Sequence, residues 1–135
     1  MKRIFLLTAI LMAAVSCIDN NPFLAEWNTP YGIPDFDAVE EKHYVPAVEA
    51  GIAQQQAEIE AIIANTEEPT FANVVEAYEK SGAILARVTG VLFNVSETDG
   101  TESLQKIVEQ VLPMLSEHSN DIFMNPDFFA KVKVL

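Results

Sequence analysis

Few side chains in this sequence could hold a metal ion or activate a nucleophile: one cysteine, Cys17, two histidines, His43 and His118, and 20 acids. A zinc site built on a helix needs two histidines on one face with a general base between them, as in His-Glu-x-x-His. His43 and His118 stand far apart and neither has such a partner, so no metal centre is expected from them. His43 is expected to cap or hydrogen-bond near a helix start, and His118 to lie on a helix flank. A nucleophilic cysteine needs a base beside it, and Cys17 lies close to the chain start, away from both histidines. There is no glycine-rich phosphate loop. Glu40, Glu41, Glu67 and Glu68 read as solvated faces of an acidic protein, and Asn94-Val95-Ser96 as a chance glycosylation sequon. The residues therefore nominate no catalytic group and no metal ligand.

The surroundings of Cys17 suggest a different chemistry. Lys2 and Arg3 precede an apolar run over residues 4–15, broken only by Thr8. As a helix that run would span ~18 Å, short of the ~30 Å hydrocarbon core, so residues 1–16 read as a signal peptide. Ala14-Val15-Ser16-Cys17 at its end resembles the lipobox of bacterial lipoproteins, in which the cysteine is acylated and becomes the mature N-terminus. Cys17 is thus the candidate lipid-attachment residue; ordinary cleavage nearby, or a free thiol, are the other readings. A lone cysteine forms no intrachain disulfide, and durable anchoring takes more than one acyl chain. The expected location is exported and lipid-anchored, on a periplasmic or outer-membrane face.

Eight basic and 20 acidic residues give a net charge of −12, and loss of residues 1–16 removes Lys2 and Arg3 but no acid, leaving −14. Such a surface lacks the basic patches that meet phosphates, so nucleic acid is excluded as a partner. Anionic lipid heads would also repel it, which leaves a covalent lipid to hold it at a membrane.

The elements that could position a site are all helical by period. Residues 17–35 carry Pro22, Pro30, Pro34 and Gly32 and read as a tether becoming an extended arm, whose Phe23, Leu24, Trp27 and Tyr31 should pack onto helices. Residues 36–135 form the helical region. Asp37 and Glu40 have capping-box spacing, but Pro46 cannot lie inside a helix begun there, so a short turn and a new helix with Pro46 in its first turn are expected. Val45, Val48, Ile52, Ile59 and Ile62 form its apolar stripe, with Gln55 falling within it and Asn65 as the stop. From an N-cap at Thr70, a second helix carries Phe71, Tyr78, Leu85 and Leu92 at steps of seven, with Val74, Ser81, Val88 and Val95 as the companion row. Gly82 and Gly90 are costly inside a helix and suggest close approach to a neighbour. A third helix, capped by Asp99 or Thr101, places Leu104, Ile107, Val108, Val111, Leu112, Leu115 and Ile122 on one face, with Pro113 as a kink. Asn125-Pro126 starts a fourth, whose stripe of Phe128, Phe129, Val132 and Leu135 ends without a cap, so a longer chain is expected. The fold class is all-α, a bundle or layer of three to four antiparallel helices.

Six short motifs recur in order: Asn21-Pro22-Phe23-Leu24, Pro34-Asp35-Phe36-Asp37, His43-Tyr44-Val45-Pro46-Ala47-Val48-Glu49-Ala50-Gly51, Glu68-Pro69-Thr70-Phe71-Ala72-Asn73, Ser81-Gly82 leading to Val91-Leu92-Phe93-Asn94, and Asn125-Pro126 with Phe129-Ala130-Lys131-Val132. Together, over residues 21–135, they resemble the N-terminal region of M3-family zinc oligopeptidases, the group of oligopeptidase A and peptidyl-dipeptidase. The resemblance implies an all-helical enzyme with a deep channel, partly walled by this region, that cleaves short peptides with zinc-activated water. The family's His-Glu-x-x-His helix and its further glutamate ligand lie downstream of this region, so no catalytic and no metal residue carries over. Two expectations follow: the front part of a lipid-anchored M3-like peptidase, or a free-standing helical lipoprotein that binds a peptide or a partner without chemistry.

Overall fold

The computed structural model describes residues 21–135, so the expected signal peptide and the candidate lipid-attachment residue Cys17 lie outside the described residues. Among the described residues all regular structure is helical. After short 3-10 turns at Pro30–Gly32 and Glu41–His43 come α1 (Tyr44–Ala64), a π-helical segment (Phe71–Glu76) continuing into α2 (Ala77–Lys80), α3 (Ala83–Thr98), α4 (Glu102–Phe123) and α5 (Pro126–Lys133). Helix α1 is central. It packs along α3 and α4 and meets α5 near its C-terminal end. Gly51 lies against Leu85, and Glu58 binds Gly82, so α3 runs antiparallel to α1. Helix α4 returns antiparallel to α3.

The ends of the helices follow local chemistry. Asn65 closes α1. Thr70 and Asn73 cap each other reciprocally: the Thr70 Oγ1 accepts from the Asn73 N–H at 3.2 Å and the Asn73 Oδ1 from the Thr70 N–H at 2.7 Å. Thr101, rather than Asp99, caps α4 through Leu104 N–H. Asn125 Oδ1 accepts from the N–H groups of Asp127 and Phe128, with Pro126 in the first turn of α5. Each cap satisfies N–H groups that a helix start otherwise leaves bare.

Two apolar clusters form the interior. The larger joins Phe23, Tyr44, Ala47 and Val48 to Leu85, Val88, Val91 and Leu92, with Leu104 and Val111 from α4. The smaller joins Ile59 and Ile62 to Val74, Ile122 and Phe128. The arm belongs to the first cluster. Phe23 is fully buried, 5.1 Å from the Tyr44 ring. Asn21 Nδ2 donates to the His43 carbonyl at 2.8 Å. Arg87 stacks its guanidinium 4.8 Å from the Trp27 ring centre and donates to the carbonyls of Phe23 and Ala25.

Several expectations are corrected. The second helix is not continuous from Thr70 to Val95. Ser81 is extended and Gly82 left-handed, with φ +69°, so the chain breaks between α2 and α3. The seam is divided in consequence: Val74 serves the smaller cluster, Leu85, Val88 and Leu92 the larger, and Phe71 is exposed. Of the two glycines expected at close approaches, Gly82 makes one, against Gln55 of α1, although it stands in the break and not inside a helix, and Gly90 does not. A Cβ at Gly90 would meet open space, whereas one at Gly51 would lie 2.9 Å from the Leu85 Cα, so the tight crossing is at Gly51 of α1. The box expected of Asp37 and Glu40 forms three residues later, between Glu40 and His43, where the Glu40 N–H donates to His43 Nδ1 at 2.9 Å. Tyr31 does not pack; it is fully exposed with φ +64°. Leu112 is half exposed, on the outer side of α4.

Candidate functional site

Two places carry more than packing. The first is a polar junction where α1, α4 and the α2–α3 break meet. Gln55, within the apolar stripe of α1, turns its amide inward. Its Nε2 donates to Ser81 Oγ at 3.0 Å, while its Oε1 faces His118 Nε2 at 2.8 Å. Ser81 Oγ donates in turn to the Tyr78 carbonyl at 2.7 Å. One helical turn along α1, Glu58 accepts the Gly82 N–H at 2.7 Å and a bond from Gln54 Nε2 at 3.0 Å. The left-handed Gly82 leaves no room for a side chain: a Cβ would sit 2.6 Å from the Gln55 amide. Glu58 of α1 thus satisfies the Gly82 N–H that the break would leave bare, and Gln55 holds the Ser81 hydroxyl beside it. His118 is buried, not on a helix flank as its sequence position suggests, and its Nδ1 has no hydrogen-bond partner among the described residues. Burial pushes the ring's pKa down, with the Asp121 charge acting the other way.

The second place is an apolar hollow of about 240 Å³ at the opposite end of the α2 segment, lined by Val74, Val75, Tyr78, Phe123, Phe129 and Val132. Tyr78 meets Phe123 edge-on at 6.0 Å and Phe128 at 5.6 Å. Phe123 and Phe129, which line it, are more than half exposed, so the hollow opens on an apolar surface of the kind that marks an interaction face.

The sequence-nominated residues do not assemble. His43 holds the start of α1 through Glu40, as expected, while His118 is engaged with Gln55. Among the described residues no three His, Cys, Asp or Glu side chains are grouped as metal ligands. Glu41, expected on a solvated face, accepts from Thr101 Oγ1 and Ser103 Oγ at 2.9 and 2.8 Å and ties the start of α4 to that of α1. The junction was not foreseen from the sequence; its one signal was a glutamine lying within an apolar stripe.

No family model matches the chain. Individual relatives do. The dipeptidyl carboxypeptidase of Escherichia coli K12 is 42% identical over 112 residues, covering 83% of this chain and 16% of the relative. That of Salmonella typhimurium is 39% identical over 115 residues, 85% and 17%. Oligopeptidase A of Salmonella typhimurium is 28% identical over 99 residues, 73% and 14%. The chain matches the N-terminal region of M3-family peptidases. It spans about one-sixth of the length of the dipeptidyl carboxypeptidases it matches. Among the described residues the region that matches is a helical layer with two apolar clusters, a polar junction and an apolar hollow.

Proposed function

We propose that this chain is the N-terminal, channel-wall region of a lipid-anchored zinc metallo-oligopeptidase of the peptidyl-dipeptidase kind, which hydrolyses short peptides. The observation that carries the reading is 42% identity to a dipeptidyl carboxypeptidase across 112 residues. In this reading the catalytic site is built by other parts of the enzyme. A catalytic zinc takes three protein ligands and keeps a position for water. The described residues do not fit such an ion: His43 Nδ1 is occupied by a backbone N–H, His118 Nε2 by Gln55, and no acids converge on either ring. The role left to this chain is structural support of a substrate channel, for which a layer pinned at Gly51, Gln55 and Arg87 supplies rigidity. Acylation of Cys17 after export would hold the enzyme at a membrane, on a periplasmic or outer-membrane face.

The direct test is the reading frame after the Leu135 codon. An open frame that reaches His-Glu-x-x-His supports the proposal, and a frame that closes without it contradicts it. The exposed apolar hollow around Phe123 and Phe129 favours a second reading, a stand-alone helical lipoprotein that seats a peptide or partner there without catalysis. Binding of peptides to the 135-residue chain, lost in Phe129→Asp, would decide for it.

A further inference from the structure

The buried His118 connects more of the molecule than its single hydrogen bond suggests. Its ring touches Gln55 of α1, and Gln55 holds Ser81, the extended residue that separates α2 from α3. We propose that His118 is an acid-sensitive latch: protonation of its ring releases α4 from α1 at Gln55 and loosens the α2–α3 break.

The bonding fixes the proton positions. Ser81 Oγ gives its hydrogen to the Tyr78 carbonyl, so it accepts from Gln55 Nε2, and the Gln55 oxygen faces the imidazole. His118 Nε2 therefore carries a hydrogen, and Nδ1 of the neutral ring is a bare acceptor, buried and without a partner. A second proton would turn Nδ1 into a charged donor with no acceptor in a residue only 5% exposed. A buried unpaired charge is far more costly than a buried unpaired acceptor. Proton uptake thus favours arrangements that bring the ring to water.

The surrounding charges do not cancel this effect. Asp121, on the same helix, favours the protonated ring, but desolvation is the larger influence and holds the pKa below the usual histidine range. On α1, Glu58 is engaged by the Gly82 N–H and Gln54. The hollow of about 290 Å³ beside Gln55 is lined on α3 by Leu85, Ala86, Thr89 and Phe93, all uncharged, and on α4 by Leu115. With the folded pKa depressed, the stability that neutral His118 contributes is complete above the unfolded value of about 6.5 and is lost as pH falls through it toward the folded value. The 20 acids act in the opposite direction, since their protonation relieves self-repulsion. Only comparison with a non-titrating variant isolates the latch.

The test is thermal melting and hydrogen exchange of the full 135-residue chain, purified in a mild detergent, as wild type and His118→Gln between pH 7.5 and 5. Wild type is expected to lose melting temperature relative to the variant as pH falls. Amide protection at Gly82 and at the first turn of α3 should fall with pH in wild type and stay level in the variant, once the intrinsic slowing of exchange at lower pH is divided out. Parallel curves for the two proteins would overturn the proposal. Should His118→Gln not fold, an NMR titration of the wild-type ring decides the same point. Protonation of His118 with unchanged Ser81 and Gly82 amides refutes the latch, and their coincident exposure supports it.

Discussion

Leu85 serves two packings at once. It is buried in the larger cluster, and its backbone is the surface against which Gly51 closes. Leu85→Ala should therefore cost ~2–5 kcal/mol, the range of a buried truncation that its neighbours cannot collapse around. Gln56, exposed on the far side of α1, should accept alanine within ~0.5 kcal/mol. Equal shifts in denaturant midpoint for the two variants would refute the placement of both. Cys17 belongs to the same scale but to covalent chemistry. Cells fed labelled palmitate should incorporate label into the wild-type chain and none into Cys17→Ala, and equal labelling would remove the lipid anchor from the proposed function. At this scale burial was largely legible: Val48, Ile59, Ile62, Val74, Leu85, Val88, Leu92, Leu104, Val111 and Ile122 all lie on expected stripes and all are buried. His118 was not legible, because nothing near it in sequence reveals that a glutamine on another helix will receive it.

Among the elements, those with local signals were readable and the one with a distant cause was not. Thr70, Thr101 and Asn125 announce their helices because a cap acts within three residues of itself. The break between α2 and α3 has another origin. Between Thr70 and Val95 the seven-residue period continues without interruption, so periodicity alone implies a single helix. What ends α2 is the set of bonds from Gln55 and Glu58, on a different helix, to Ser81 and Gly82. Gly82 was visible as an awkward residue: it makes a left-handed turn and, as expected, a close approach to a neighbouring helix at Gln55. Gly82→Ala should accordingly destabilise by at least ~1–2 kcal/mol, the cost of a left-handed non-glycine residue, with a further loss because the new Cβ collides with the Gln55 amide. Urea unfolding measures it. A neutral effect would mean that the break can be replaced by continuous helix.

At the scale of the whole molecule, the arm and the uncovered face define what this region is for. The arm is fastened by Phe23, Asn21 and the Arg87 bonds, so residues that read as a linker form part of the interior. Sequence showed which arm residues were too apolar for a solvated tether, and Phe23 and Trp27 answer to that, while Tyr31 projects into solvent. The resemblance to M3 peptidases was readable because six short motifs keep their order, and the two dipeptidyl carboxypeptidases match over 83% and 85% of the chain. The central claim is that this region supports peptide hydrolysis without performing it. Zinc analysis of the purified chain tests that claim most directly, run beside a fluorogenic peptide assay with and without a chelator. The 135-residue chain is expected to hold no stoichiometric zinc and to cleave nothing, while a chain extended through a downstream His-Glu-x-x-His region should bind zinc and show chelator-sensitive turnover. Near one zinc per 135-residue chain, with turnover that a chelator abolishes, would contradict it.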